Sequence, residues 1–219
     1  MPPTSTRSPR RQGRPTVDEA ARLDDDVREH ALRLFLERGY EGTSMDAIAE
    51  AAGTTKASLY ARFSGKESLF QSVLIWAVGR SDWPSPEPSP PAFDDLEAAL
   101  RAIARTALHR ALDPAMVQLS RIAVAQAARF PDVAGKIGEL SWPRLQLIAS
   151  LLRHHDALGS IDAPEPELLA EQFVELVAGI PARLASFGVI RSPEAQAHRL
   201  DVAVSLFLRG VQAAHGGAE

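Results

Sequence analysis

Lys56, Ser58, Tyr60 and Arg62 lie in the string K-A-S-L-Y-A-R-F, while Leu59 and Phe63, four residues apart, mark the opposite, core-facing side of a short helix. An ammonium, two hydroxyls and a guanidinium projecting outward suit hydrogen bonding to phosphate oxygens and base edges. Thr55 is placed to cap that helix. Upstream, Ser44 is a good N-cap, and Met45, Ile48, Ala49 and Ala52 recur at helical spacing. Gly53 supplies the left-handed turn between the two segments. Residues 44–63 therefore predict a helix-turn-helix, in which the first helix braces and the second enters the DNA major groove.

Other clusters offer less chemistry. Adjacent His154 and His155 point about 100° apart on a helix and make a poor metal pair, whereas a helix C-terminus favours both. Asp24, Asp25 and Asp26 suit a helix N-terminal dipole better than a cation site. The sequence shows no glycine-rich phosphate loop, no nucleophile elbow and no cysteine, so neither an enzyme, a cofactor nor a metal site is expected.

The net charge of −4 is unevenly spread. Residues 1–66 carry eleven Lys or Arg against ten Asp or Glu, and the remainder thirteen against eighteen. Arg7, Arg10, Arg11 and Arg14 precede the first acidic residue, and such an arm suits phosphate neutralisation or minor-groove entry, Arg11 and Arg14 above all. No apolar run approaches a membrane span, and no hydrophobic region follows Arg10-Arg11 as an export signal requires. A cytoplasmic location without membrane partners is the expectation.

Four regions follow: a basic arm at 1–23, a DNA-binding domain at 24–83, a stiff W-P-S-P-E-P-S-P-P linker with 84–91 at its heart, and a C-terminal domain at 92–219. The pattern predicts a helix from about Asp24 to Arg38, stopped at Gly39, with Tyr40 packed beneath the helix-turn-helix and a possible capping box at Thr16 and Glu19. A second capping box, Ser64 to Glu67, opens the next helix. Beyond Ala92 the periodicity predicts helices at 93–112, 114–130, 131 to an interruption at Trp142-Pro143, 145–152, 165–187 and 192–214, with Pro181 kinking or breaking its segment. The fold class is all-α: a three-helix DNA-binding domain followed by a C-terminal helical bundle.

The strings G-T-S-M-D-A-I-A, A-G-T-T-K-A-S-L-Y-A-R-F and K-E-S-L-F resemble the DNA-binding domain of the tetracycline-repressor (TetR) family, from Asp24 to Trp83, about a quarter of the chain. R-F-P-D-V-A-G at Arg129–Gly135, within a run from Val117, is similar to the C-terminal domain of the AefR-like subgroup. Thr54 stands where the family usually has an aliphatic residue, adding a hydroxyl that needs a partner to the turn.

Matched onto this sequence, the family motif implies DNA contacts from Lys56, Ala57, Ser58, Tyr60 and Arg62. Arg62 would pair with guanine, Ala57 touch a thymine methyl, and Tyr60, Ser44 and Thr43 meet phosphates, with Thr55 and Lys66 close by. One short reading helix needs a symmetry mate, so a homodimer on a palindromic operator is expected, with half-sites about one helical turn apart. Its interface is expected from Phe173, Leu176, Val177 and Ile180 with Leu200, Val204, Phe207 and Leu208. The resemblance further implies a small-molecule effector in the C-terminal domain, for which Met116, Phe130, Trp142, His154, His155, Phe173 and Arg183 are candidate lining. The function expected is that of a ligand-released repressor; the alternatives are a constitutive or architectural DNA-binding dimer, or an activator.

Overall fold

The computed structural model describes residues 17–79 and 93–212, and within them the side chains of all but 17–21, 132–134 and 137–143. The described residues form helices and no strands. Helix α1 (Val17–Arg38) buries Val27, Ala31, Leu34 and Phe35, as its apolar stripe predicts. It begins earlier than Asp24 because nothing between Val17 and Leu23 breaks a helix and Asp18 and Glu19 suit its first turn. Thr16, the Arg11–Arg14 arm and the proline-rich linker lie outside the described residues.

Gly39, at φ 72°, stops α1 and turns the chain so that Tyr40 enters the core. Helices α2 (Met45–Ala51) and α3 (Lys56–Arg62) follow, then α4 (Lys66–Gly79), which buries Leu69, Phe70, Val73, Leu74 and Ala77. The cap of α4 is displaced by one residue from the expected box. Gly65 is the N-cap, its N–H donates to Ser68 Oγ at 3.3 Å, and Leu69 N–H donates to Gly65 O at 3.1 Å. Glu67 instead faces Arg129.

The C-terminal domain contains α5 (Leu96–Leu112), α6 (Pro114–Gln126), α7 (Pro131–Ala157), α8 (Pro166–Val174), α9 (Ile180–Ser186) and α10 (Pro193–Gln212). Helix α5 starts three residues inside the expected position, capped by Asp95, which accepts from Ala98 N–H at 3.0 Å. Asp113 caps α6 through Ala115 and Met116 N–H. Helix α6 ends at Gln126, short of Phe130, which precedes Pro131 and sits at φ −127°, ψ 63°, outside the helical region that a following proline disfavours.

The two internal prolines of this domain behave differently from one another. Helix α7 runs unbroken through Trp142-Pro143, so the predicted interruption does not occur. Pro181 neither ends its helix nor leaves it regular: a π-helical turn, Glu175–Gly179, precedes it between α8 and α9. A proline withholds its N–H from the carbonyl one turn back. Arg199 on α10 supplies the missing donors, Nη1 to Val177 O at 2.9 Å and Nη2 to Leu176 O at 2.8 Å. Burial lowers the Arg199 pKa, and the Arg191 charge adds to the effect.

Two apolar cores result. One gathers α5, α7, α8, the π-turn and α10 around Leu100, Leu152, Phe173, Val177 and Val204. The other belongs to α1–α4 but also takes in Leu119 and Phe130, with Met116, Ile122 and Ala123 packed at its edge. Phe130 lies 5.9 Å from the Tyr40 ring and 5.6 Å from the Phe70 ring. Helix α6 and its corner with α7 are thus part of the head's own core.

Candidate nucleic-acid interface

The turn between α2 and α3 closes as a Schellman motif. Gly53, at φ 61°, donates to Glu50 O at 3.1 Å, and Thr54 N–H donates to Ala49 O at 2.9 Å. Thr54 is half-buried, and its backbone makes the bond that any residue at this place would make. Ser44 Oγ accepts from Ala47 N–H at 3.2 Å, and Thr55 Oγ1 from Ser58 N–H at 3.1 Å, so both predicted caps form. Leu59 is fully buried and is the one buried side chain of α3.

Around that anchor, Thr55, Lys56, Ala57 and Tyr60 are exposed and Ser58 is half-buried. The outward face expected of α3 is present from its N-cap through its second turn. Lys56 is not idle there: Nζ lies 2.7 Å from Asp46 Oδ1 on α2, and the hydrogen bond to that carboxylate raises its pKa. Lys66 is half-buried, with Nζ 4.3 Å from the centre of the Tyr40 ring.

Two predicted contacts need correction. Arg62 was expected outward, but its guanidinium turns back to pair with Asp24 on α1, and the two side chains are only 21% and 32% exposed. Thr43 is 2% exposed, and its hydroxyl lies 2.8 Å from Gly39 O and 3.1 Å from Leu34 O. That hydroxyl closes the α1–α2 corner and is not presented to a phosphate. Arg11 and Arg14 fall outside the described residues.

The interface residues predicted for α8–α10 also face elsewhere. Phe173, Val177, Leu200, Val204, Phe207 and Leu208 are buried in the chain's own C-terminal core, with Leu176 at its edge; only Ile180 is turned outward. The exposed apolar side chains of this region include Ile180, Phe187, Val189, Ile190, Val202 and Leu206. Its signal is in the sequence: α10 is apolar on two faces, with Val202 and Leu206 spaced four apart on the side away from Leu200 and Val204.

The candidate effector residues occupy different settings. Met116 and Phe130 pack on the head core, Phe173 is in the bundle core, and His154 and Arg183 are exposed. The Trp142 side chain lies outside the described residues. His155 is buried, with Nε2 2.8 Å from Phe93 O and Nδ1 3.2 Å from Ser160 Oγ. It borders an open depression of about 390 Å3 shared with Asp94, Asp95 and Glu97. Among the described residues, no three His, Cys, Asp or Glu are grouped to hold a metal ion, and no helix is long and apolar enough to cross a membrane.

The head meets the bundle through polar contacts that the sequence reading missed. Arg129, in the α6–α7 corner, pairs with Glu67 on α4, lies 3.5 Å from Glu41, and stands over the Tyr40 ring at 5.4 Å. Gln118 donates to Leu36 O at the end of α1. At the other end of α4, Arg110 and Arg144 donate to Val78 O at 2.6 and 3.2 Å. Burial and the nearby Arg144 charge push the Arg110 pKa down to about 10. No sequence periodicity marks such long-range pairs, although R-F-P at 129–131 is the one string that flagged the corner.

A head of this geometry on a helical bundle defines a class, and comparison with known proteins agrees. The family profile of bacterial regulatory proteins of the tetR family matches residues 27–73, and that of the AefR-like transcriptional repressor C-terminal domain matches residues 98–210. The chain belongs to the TetR family of DNA-binding transcriptional regulators, a class that is not enzymatic. Within it, the C-terminal domain is AefR-like.

Among solved structures, the flavonoid-responsive regulator FrrA is 34% identical, with a TM-score of 0.70 over 88% of this chain and 98% of its own. A TetR-family regulator of Mesorhizobium loti MAFF303099 is 26% identical, with a TM-score of 0.71 over 87% of this chain and 97% of that one. The HTH-type transcriptional repressor ComR of Escherichia coli K12 is 43% identical over 70 residues, 32% of this chain. That match spans only 31% of the length of ComR.

Proposed function

We propose that the chain is a homodimeric cytoplasmic repressor whose two α3 helices read a palindromic operator and whose C-terminal domain releases the DNA when it binds a small molecule. The observation that carries this reading is the exposed face of α3, with Lys56, Ala57 and Tyr60 around one buried leucine. Seven residues offer few base contacts, so two copies are needed for operator specificity. Ala57 suits a thymine methyl, Lys56 a guanine edge or phosphate, and Ser44, Thr55, Ser58, Tyr60 and Lys66 suit phosphates. The Arg11–Arg14 arm adds salt-dependent backbone affinity.

Repression is supported by the AefR-like repressor domain and by the naming of ComR as a repressor; ligand response is supported by FrrA. For the dimer, the apolar surface formed by Val202, Leu206, Ile180 and the Phe187–Ile190 connection is the support. The test is selection of duplexes from a random pool, followed by sedimentation of the complex and a metabolite screen for release. An inverted repeat bound by two protomers and released by one compound class is the expected result. Salt-dominated binding to any duplex, unmoved by every compound, would instead favour a constitutive architectural dimer, and ligand-dependent recruitment of polymerase an activator.

A further inference from the structure

Helix α3 is short, and within it Leu59 alone is buried, while its neighbours Ser58 and Tyr60 are half-buried and exposed. Phe63 at its C-cap, 7% exposed, is the second apolar anchor. Both anchors lie on one side of the helix, so polar contacts at its ends help to fix its roll, and each degree of roll moves its outward side chains relative to the groove.

Among the described residues, each end has an ion pair to a different neighbouring helix. At the N-terminus, Lys56 pairs with Asp46 on α2, but the two side chains are 59% and 66% exposed, and pairs so hydrated hold weakly. At the C-terminus, Arg62 pairs with Asp24 on α1, and there the side chains are 21% and 32% exposed. Arg28, one turn beyond Asp24, strengthens the same junction. Its guanidinium lies 6.0 Å from the Phe63 ring centre, donates through Nε to Ser72 Oγ on α4 at 2.9 Å, and pairs with Asp25 at 2.8 Å. One face of α1 thus grips the C-terminal end of α3.

We infer that Asp24 is a positioning residue for DNA reading: through Arg62 it sets the roll of α3, and so governs discrimination between sequences without touching DNA. The inference rests on α3 being the reading helix. It assigns Arg62 a different role from a guanine contact, because the guanidinium that would reach the base is engaged on the protein side. It also replaces the helix-dipole role expected of Asp24, because α1 begins at Val17 and Asp24 lies beyond its first turn. A merely electrostatic part for Asp24 predicts something else: removing the acid would free Arg62 for a phosphate, and affinity for every duplex would rise.

The test compares full-length wild type with Asp24→Asn and Asp24→Glu, using the duplex that the wild type enriches from a random pool and a shuffled duplex of equal length. Dissociation constants are measured over a potassium chloride series, with circular dichroism and melting as controls for folding. Asp24→Asn should lower the ratio of specific to shuffled binding about tenfold, the scale of one lost base contact, with an unchanged salt slope. Asp24→Glu, which keeps the carboxylate, should recover most of the ratio. Should Asp24→Asn fail to fold, the reciprocal exchange Asp24→Arg with Arg62→Asp carries the test, and restored discrimination is the expected result.

An unchanged ratio overturns the inference. So does tighter binding to both duplexes with a salt slope steeper by about one, the mark of a guanidinium released to phosphate. Failure of the wild type to enrich any sequence overturns the reading of α3 together with the inference. Enrichment by the wild type with an indifferent Asp24→Asn variant overturns the inference alone.

Discussion

The head and the C-terminal bundle solve the same problem, packing helices, with different materials. In the head, seven-residue helices are held by local polar bonds: Ser44 and Thr55 cap, Gly53 turns, and Thr43 ties the α1–α2 corner. In the bundle, long helices rely on apolar burial, and polar side chains matter chiefly where a helix departs from regularity, as at Arg199. Short-range chemistry shapes the head's DNA-facing helices, and the Asp24–Arg62 pair ties α3 to α1. Long-range packing gives the bundle alternatives in which face it buries and which it offers to a partner. The two are not insulated, because Phe130 and Arg129 of the bundle complete the core and rim of the head.

The largest expected effect tests that junction. Phe70 is fully buried and touches Phe35 edge-on at 5.1 Å, Tyr40 at 4.8 Å and Phe130 at 5.6 Å. Phe70→Ala should cost about 3–5 kcal/mol in urea or thermal unfolding, since the cavity lies where both regions meet. If head and bundle share this core, the loss appears in one cooperative transition. Two transitions, of which only one shifts, would show the regions to be more separate than the packing indicates.

Arg199→Met comes next and probes the bundle alone. It keeps an unbranched apolar stem but leaves Val177 O and Leu176 O without the guanidinium, at a cost of about 1–3 kcal/mol. Pro181→Ala restores an N–H to the turn, so in its background the same change should cost less. A double-mutant cycle measured by denaturant unfolding reads the difference directly. Additive costs would mean that Arg199 stabilises α10 for reasons unrelated to the proline.

The contrast between the regions also explains what could be read from sequence. The Ser44 and Thr55 caps, the Gly53 turn and the Leu59–Phe63 spacing act over four residues or fewer, and each appears where its pattern predicts, whereas the α4 cap is displaced by one residue. Arg62 was misread because its partner Asp24 is thirty-eight residues away and no local rule distinguishes a paired arginine from an outward one. In the bundle, the apolar residues of α8–α10 were recognised but given the wrong destination. Periodicity marks an apolar face without saying whether the chain's own core or a second protomer covers it. The proline at 181 announced an irregularity, but a π-turn backed by a distant arginine is written in two elements, and only one of them holds the proline.

A smaller effect is expected from the polar rim of the junction. Arg129 pairs with Glu67 at the surface, both side chains about half exposed, and the hydrogen bond to Glu67 raises the arginine's pKa. Pairs so exposed contribute little, so Arg129→Ala should scarcely move the unfolding midpoint. Its consequence should appear in coupling. With Arg129 gone from Glu67, Glu41 and the Tyr40 ring, an effector that releases wild-type protein from DNA should release the variant less completely at saturation. Equal release by both proteins would assign coupling to the remaining junction contacts, those of Phe130, Gln118, Arg110 and Arg144.

The smallest expected change in stability belongs to Leu206→Asp. Leu206 is 58% exposed and Val202, four residues earlier, 53%, so replacing either with a charge removes little from the folded monomer. The unfolding free energy of the monomer should shift by no more than about 0.5 kcal/mol, as for most surface substitutions. If this face of α10 is covered by a second protomer, a carboxylate on it is desolvated in the dimer and meets its symmetry-related copy nearby. Sedimentation should then show a dimer for the wild type and a monomer for Leu206→Asp at equal concentration, with operator affinity falling far more than folding stability. Leu200→Ala gives the opposite pattern, because that side chain is 5% exposed in the chain's own core: unfolding suffers, and association follows only through it. Two residues six apart on one helix would thereby separate the face that builds the protomer from the face that joins it to another.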